Sequence, residues 1–575
     1  MPNKGTLVQI LAAFCLIPGL LNAQNVLTWH NDNGRTGQNL NETILTPAKL
    51  RTGQHPFGKL FSQPVDGQIY AQPLYLHGLN VNGAPHNVVF VATENDSVYA
   101  FDADSNSGSN AAPLWHDIFV DNVSTFPVPC ADDANSCNVF PQIGITGTPA
   151  IDTSTPTPTM YVVARTKEVM GTGFKYVYKL HALNTATGAE RTGSPAILCS
   201  QPAGSGCQFK NGSFNPQQMS QRPGLLIVPG AGPNGHNVLY IGFAGTRGWL
   251  LAYDTTTLKR LADFNPTPGT TLGGIWGSGG GISADASGNL FVVTGDAVFN
   301  PGKNQYGDTL LKLSLTYNAQ TASYQFNVLD YFTPNDYICR TTGSNDIDLG
   351  SGGTMVLPVQ PGAHPNEVIV SGKGGTYAGC DGAQIYLVDA DTGGMGHVNG
   401  QLQQVTGVNI APGGFTGGFW SSPAYLQSGS ASLVFYSGLT QESLTGDFLR
   451  AYSLVNGQFT PVSSVAQTAN TFLVGSTPAV SASGGKGLNA IVWAIERQEN
   501  LTCRPNGQGC PTGQTGLEPA VLHAYDPSAK LSSLYSSADN PEDTAGSASK
   551  FQVPTIANGK VYVATQTELD VYGLF

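Results

Sequence analysis

Only 11% of this 575-residue chain is charged, yet charges and amides recur at one kind of place, directly after a short apolar run. The residues are Glu94; Arg165 with Lys167 and Glu168; Arg247; Asp296; Lys373; Gln441 with Glu442; Glu496 with Arg497; and Gln566. Carboxylates in such a set can take up a proton or bind a hard cation, and lysine and arginine can hold an anionic ligand. If these loops share one face, they form a ring of mixed charge around a channel. The plain alternative is that loops are simply where a β-protein carries its polar residues. Familiar catalytic motifs are missing: the 10 histidines form neither HExxH nor HxxEH, and neither GxSxG nor GxxxxGK[ST] occurs. His181 and His523 stand in equivalent contexts, LHAL and LHAY, which marks them as structural repeat residues.

The elements that must position these loops are strands. Glycine at 71 and proline at 37 residues, with few Glu, Lys and Arg, favour short strands and turns over helices. A unit of three strands recurs. Its second strands begin at Val88, Met160, Val238, Leu290, Glu367, Leu433, Ala490 and Val561; each is too short for a helix, apolar and bounded by turn residues. Its third strands begin at Val98, Lys179, Leu250, Leu310, Ile385, Leu449, Leu522 and Leu569. The first strand is marked by Pro73, Pro149, Pro223, Pro423, Pro478 and Pro554, where the ladder has not begun and no donor is lost, or by glycines 279–281 and 352–353. The last unit stops at Phe575, after its third strand, so its outer strand must come from elsewhere. KLFSQPVDG, from Lys59 to Gly67, precedes the first unit and is available to pair with Leu569–Leu574. This predicts an all-β fold, an eight-bladed β-propeller closed by pairing of its N- and C-terminal strands, which protects the sheet edges.

The termini and cysteines place the chain outside the cytoplasm. Lys4, the apolar run Leu7–Leu21 and Ala23 read as a signal peptide over residues 1–23, because the run is too short to span a bilayer. Residues 24–57 read as a polar, turn-rich N-terminal arm wrapping one face or side of a propeller over 58–575, with Trp29 as a packing anchor. Removing Cys15 leaves eight cysteines, and proximity pairs Cys130 with Cys137, Cys199 with Cys207 and Cys503 with Cys510, leaving Cys339 for Cys380. The expected location is secreted or periplasmic. A net charge of −12 with no basic cluster argues against nucleic acid, and no later segment is long enough for a membrane span.

Eight units with third strands such as AFDADSNSG and LVDADTGG resemble the quinoprotein alcohol dehydrogenase superfold, whose members bind pyrroloquinoline quinone (PQQ) and calcium on the propeller axis. The likeness spans the whole mature chain in architecture, and its residue-level motifs are patchy. ASGNLFVVTGD from Ala286 is similar to the strand that ends in a calcium-binding asparagine, which puts Asp296 in the metal position. SGKGG from Ser371 is similar to the lysine-bearing motif, implying that Lys373 hydrogen-bonds the cofactor. FTPNDYICRTTGSNDIDLGSGG from Phe332 resembles the segment with the catalytic aspartate, which would be Asp346, with Asp348 and Asp336 as alternatives. Trp276 stands for the tryptophan under the quinone ring, at a longer spacing from Asp285 than in the family, and Arg247 with Lys373 would meet the cofactor carboxylates. The implied chemistry is oxidation of an alcohol or sugar, with a carboxylate base, a Lewis acid and cations that hold a tricarboxylate.

The chain also departs from that pattern. Arg247 and Gly248 lack the family's nearby calcium-binding glutamate, no two cysteines are neighbours, and no haem-attaching CxxCH occurs, so electrons would need an external acceptor. These features place it closer to secreted PQQ-like repeat proteins than to a working alcohol dehydrogenase. Two functional classes follow: a PQQ- and calcium-dependent dehydrogenase acting on a small-molecule alcohol or sugar, and a non-catalytic propeller that binds a protein or glycan on its loop face.

Overall fold

The computed structural model describes residues 25–133, 137–277, 280–341, 346–375, 380, 382–408, 417–428, 431–439, 446–473, 475–499 and 517–575. The expected signal peptide over 1–23, the Cys503–Cys510 pair, Gln441 and Glu442 lie outside the described residues.

The fold is all-β, with eight sheets of four or more strands among the described residues. In the first sheet Leu74–Val81, Ala84–Ala92, Ser97–Asp102 and Trp115–Ile118 pair in that order, antiparallel throughout. The second uses Ala150–Asp152, Thr159–Met170, Gly173–Asn184 and Ala196–Pro202; the third, Leu226–Val228, Val238–Gly245, Trp249–Asp254 and Arg260–Phe264. The fourth uses Ser283–Ala284, Leu290–Val293, Leu310–Asn318 and Ser323–Thr333; the fifth, Thr354–Val356, Glu367–Ser371, Ala383–Asp389 and Gln403–Val408. The sixth uses Ala424–Ser428, Ala431–Leu439, Gly446–Val455 and Gln458–Phe472; the seventh, Ala479–Ser483, Leu488–Glu499, Leu517–Asp526 and Ser532–Ser536. The predicted second and third strands of the first seven units begin inside these elements.

The eighth sheet closes with a strand from the other end of the chain. Thr555–Ala557, Lys560–Ala564 and Glu568–Leu574 are followed by Phe57–Pro64, which runs antiparallel to Glu568–Leu574 from Phe57 opposite Leu574 to Pro64 opposite Glu568. The strand therefore starts two residues before the expected Lys59 and ends before Gly67. Val65 N–H still donates to the Thr567 carbonyl at 2.8 Å, but Asp66 accepts hydrogen bonds from Thr93, Asn95 and Ser97, which turn the chain toward the first sheet.

Apolar side chains alternate along the strands, so each sheet buries both faces against its neighbours. One core cluster joins the eighth, first and second sheets, through Val571, Val91 and Val162 among others. Further clusters join the second to the third, the third to the fourth and the fourth to the fifth sheet. The chain continues from fifth to sixth, sixth to seventh and seventh back to eighth. This circular succession fits a β-propeller. Disulfides join Cys130 to Cys137, Cys199 to Cys207 and Cys339 to Cys380, as proximity suggests. Among the described residues no helix is long and apolar enough to cross a membrane.

Candidate functional site

The loops after the second strands of the fourth and fifth sheets meet at one place. Leu290–Val293 leads through Thr294 and Gly295 to Asp296, and Glu367–Ser371 leads through Gly372 to Lys373. Between them, on the segment before Thr354–Val356, lie Asp346 and Asp348. Carboxylate oxygens of Asp296, Asp346 and Asp348 come within 4.8 Å of one another. The Lys373 ammonium bridges two of them, 2.6 Å from Asp346 Oδ1 and 3.1 Å from Asp348 Oδ2. Asp348 Oδ1 accepts a hydrogen bond from the Asp296 backbone N–H at 3.0 Å, and the Lys373 N–H donates to the Asp348 carbonyl at 2.9 Å. A Cβ at Gly295 would run into Asp348 Oδ1, and one at Gly372 into the Leu349 carbonyl, so both loops require glycine for this close approach.

Behind the cluster, Arg340 on the short helix Tyr337–Thr341 joins the Asp346–Asp348 segment to the Lys373 loop. Its guanidinium donates to Asp336 at 2.8 Å, to the Ile347 carbonyl at 3.0 Å and to the Lys373 carbonyl at 2.8 Å. Asp336, one of the sequence alternatives for a base, is thus the buried partner of Arg340, and the Cys339–Cys380 disulfide ties the same helix to the segment beyond Lys373. Asp308 is fully buried; its Oδ1 accepts from the Leu349 N–H at 2.9 Å, and its Oδ2 has no partner.

The electrostatics follow from this crowding. Burial, then repulsion from Asp348 and Asp308, pushes the Asp296 carboxyl up to about 10, and its buried Oδ1 has no hydrogen-bond partner. Burial, opposed by Arg340, raises Asp308 to about 8. Burial raises Asp346 to about 6 against the pull of Lys373, although its side chain is 68% exposed. Asp348 is also buried, but Lys373 overcomes that penalty and holds it below the usual carboxylate range. The two aspartates in turn keep Lys373 charged despite its burial.

Asp346, Asp348 and Lys373 line a cavity of about 340 Å³, together with Arg222, Trp276 and Trp420. Arg222 lies 4.9 Å from the centre of the Trp276 ring and Lys373 5.5 Å from that of Trp420, so each indole carries a cation on its face. The seventh and eighth sheets contribute Arg497, Ser549 and Gln552 to the opposite wall. Of the expected site residues, Asp296, Asp346 and Lys373 converge, and Trp276 faces the same cavity. Arg247 is not among the residues that line it and its backbone bridges Leu272, while Arg222 brings a guanidinium to the cavity. Sequence reasoning missed Arg222 because an Arg-Pro step before a strand reads as a turn. Asp308, in a Tyr-Gly-Asp-Thr turn, offered no signal of its own. His181 and His523 are structural: His181 pairs with Glu190 and stacks on Phe119, and His523 pairs with Glu496.

No protein-family model matches the chain, and no curated protein matches it by sequence. Solved structures do. A quinohemoprotein alcohol dehydrogenase from Comamonas testosteroni aligns over 96% of this chain and 80% of its own at 14% identity, with a TM-score of 0.55. Another, from Pseudomonas putida HK5, aligns over the same shares at 11% identity and a TM-score of 0.56. A europium-containing methanol dehydrogenase aligns over 96% of this chain and 98% of its own at 13% identity and a TM-score of 0.53. At these identities the likeness establishes the fold: the chain has the PQQ-like, quinoprotein type of architecture.

Proposed function

We propose that the protein is an exported PQQ-like oxidoreductase acting on a small-molecule alcohol or sugar, built as an arm over residues 24–57 and an eight-bladed propeller over 58–575. The observation that carries this reading is the convergence of Asp296, Asp346, Asp348 and Lys373 beside a cavity that the last three line together with Trp276 and Arg222. Three disulfides suit an oxidising compartment.

The residues present fit both groups. Asp296 carries a buried oxygen without a partner, next to two further carboxylates. An all-oxygen donor set of this kind suits calcium, and a cation there would offset the burial and the carboxylate repulsion that raise the Asp296 carboxyl. Asp296 and Asp348 would hold the ion. For PQQ, Trp276 and Trp420 offer flat walls, Arg222 and Lys373 offer cations for its carboxylates, and about 340 Å³ is room for a ligand of that class.

When bound, PQQ supplies the two-electron acceptor for oxidation of the alcohol. Asp346 is the general base: it is the exposed member of the cluster, and its carboxylate, steadied by Lys373, is placed to take the hydroxyl proton of a substrate in the cavity. Lys373 steadies the two aspartates it bridges.

The test is dye-linked oxidation of alcohols and aldoses by protein reconstituted with PQQ and calcium. Asp346→Asn should lower turnover by at least about 100-fold, the range for loss of a general base, with cofactor binding retained. An unchanged rate would remove Asp346 as the base. A second reading, a non-catalytic propeller that binds a protein or glycan on its loop face, is favoured by the lack of a carboxylate beside Arg247 and of neighbouring cysteines. It predicts no turnover and no PQQ uptake.

A further inference from the structure

The first strands of the sheets line the axis, and no strand of the ring itself pairs with their inner edges; at the seventh sheet the arm does so, Gln38–Asn39 running parallel to Val480–Ser481. Buried N–H and C=O groups there need partners. The N-terminal arm supplies them in ring order. Val26 exchanges two hydrogen bonds of 2.9 Å with Tyr75 of the first sheet, and the Leu27 carbonyl accepts from Ile151 N–H of the second at 2.8 Å. Thr28 Oγ1 donates to the Leu225 carbonyl at the edge of the third, at 3.0 Å. The Asn33 and Gly34 carbonyls accept from Ala284 and Val356 of the fourth and fifth at 2.7 and 2.9 Å. Those of Thr36 and Gly37 accept from Tyr425 and Val480 of the sixth and seventh, each at 2.8 Å. Asn39 Nδ2 donates to Ile556 of the eighth at 3.0 Å. One pass from Val26 to Asn39 therefore makes one circuit of the sheets.

At the centre of the circuit sits Arg35, which is 0% exposed. Its guanidinium donates to the Ile282 carbonyl at 2.8 Å, the Leu225 carbonyl at 3.0 Å, and Thr28 Oγ1 and the Trp29 carbonyl at 2.7 Å each. It thereby joins the third and fourth sheets to the arm with a fork that lysine cannot reproduce. His30, also fully buried, contacts the Arg35 carbonyl through Nδ1 and the Pro478 carbonyl of the seventh sheet through Nε2. Trp29 lies beneath the axial cavity: a small void lined by Trp29, Gly280, Arg222 and Phe551 shares the last two residues with it.

We propose that residues 26–39 are a plug that closes the axial channel and forms the floor of the site, with Arg35 as the positioning residue that seats Arg222 and the Trp276 segment. The sequence expectation of an arm on one face or side of the ring is thus replaced by an arm inside it. The consequence for access is that ligand enters and leaves on the cavity side. The effect on the site rests on the axial reading above; the plug itself does not depend on what the cavity binds.

Amide hydrogen exchange on the full chain, wild type against Arg35→Ala, tests this. The Tyr75, Ile151, Ala284, Val356, Tyr425 and Val480 amides, which lie in separate sheets, should lose protection together by at least about tenfold, with second-strand amides unchanged. Loss confined to the third and fourth sheets, or no loss, would overturn the plug. Should Arg35→Ala fail to fold, Arg35→Lys keeps the charge and must show the same pattern at smaller amplitude, and a different pattern counts against the proposal equally. In parallel, PQQ with calcium should bind Arg35→Ala at least about tenfold more weakly than wild type. Unaltered affinity would remove Arg35 as a positioning residue, whereas no PQQ binding by wild type would sink only the preceding functional reading.

Discussion

At the scale of single residues, the protein concentrates carboxylates where burial makes them costly. Glu94 is the clearest case away from the cluster: Oε2 accepts from Gly144 N–H and Thr146, while the buried Oε1 has no partner. Burial, only partly offset by these bonds, raises it from 4.5 to about 7. The folded state therefore holds the proton more tightly than the unfolded chain. The stability this contributes is complete below pH 4.5 and is lost as pH rises toward 7. Urea titrations should show Glu94→Gln removing that slope and stabilising the protein above pH 7 by up to about 3 kcal/mol; a parallel pH dependence in both proteins would refute it. Gly295→Ala should push Asp348 off the Asp296 N–H and weaken calcium binding about tenfold, or ~1.4 kcal/mol, by calorimetry. Asp296 and Lys373 were legible because each follows a recognisable repeat strand, whereas Asp346 stands on an irregular segment and was singled out only by the resemblance of its surroundings to the family. Arg247 was singled out by its Arg-Gly step; its backbone bridges Leu272, and the arginine that lines the cavity is Arg222.

At the scale of elements, short apolar runs bounded by Gly, Asn and Asp determine the sheets, and the periodic units made them readable without structure. The seam was readable too, because a unit that lacks its outer strand must borrow one. Its edges were less so: side-chain bonds to Asp66 turn the chain toward the first sheet, and such tertiary contacts leave no local pattern. At the seam, Phe57 is 1% exposed and packs against Trp493, Tyr535 and Tyr572 at ring distances of 5.5, 4.8 and 6.4 Å. Phe57→Ala should cost about 3–5 kcal/mol in denaturant unfolding. A loss under about 1 kcal/mol would mean that the terminal strand is dispensable for closure. The arm shows the limit of pattern reading. Its residues have no periodicity because they pair with a different sheet at nearly every step, so nothing in their order reveals the circuit they make.

At the scale of the whole molecule, function is a product of closure. Asp296 and Lys373 stand on loops of neighbouring sheets, Asp346 and Asp348 on the segment between, and Arg222, Arg497 and Ser549 come from the third, seventh and eighth sheets. No one sheet carries the site, and the fold alone does not name its ligand. The measurement that bears most directly on the central claim is an absorbance titration of metal-free protein with PQQ, run with and without calcium, for wild type, Asp296→Ala and Lys373→Ala. Saturable binding should require calcium in the wild type, lose its calcium dependence in Asp296→Ala and weaken at least about tenfold in Lys373→Ala. No saturable binding, or binding indifferent to calcium and to both substitutions, would contradict the claim.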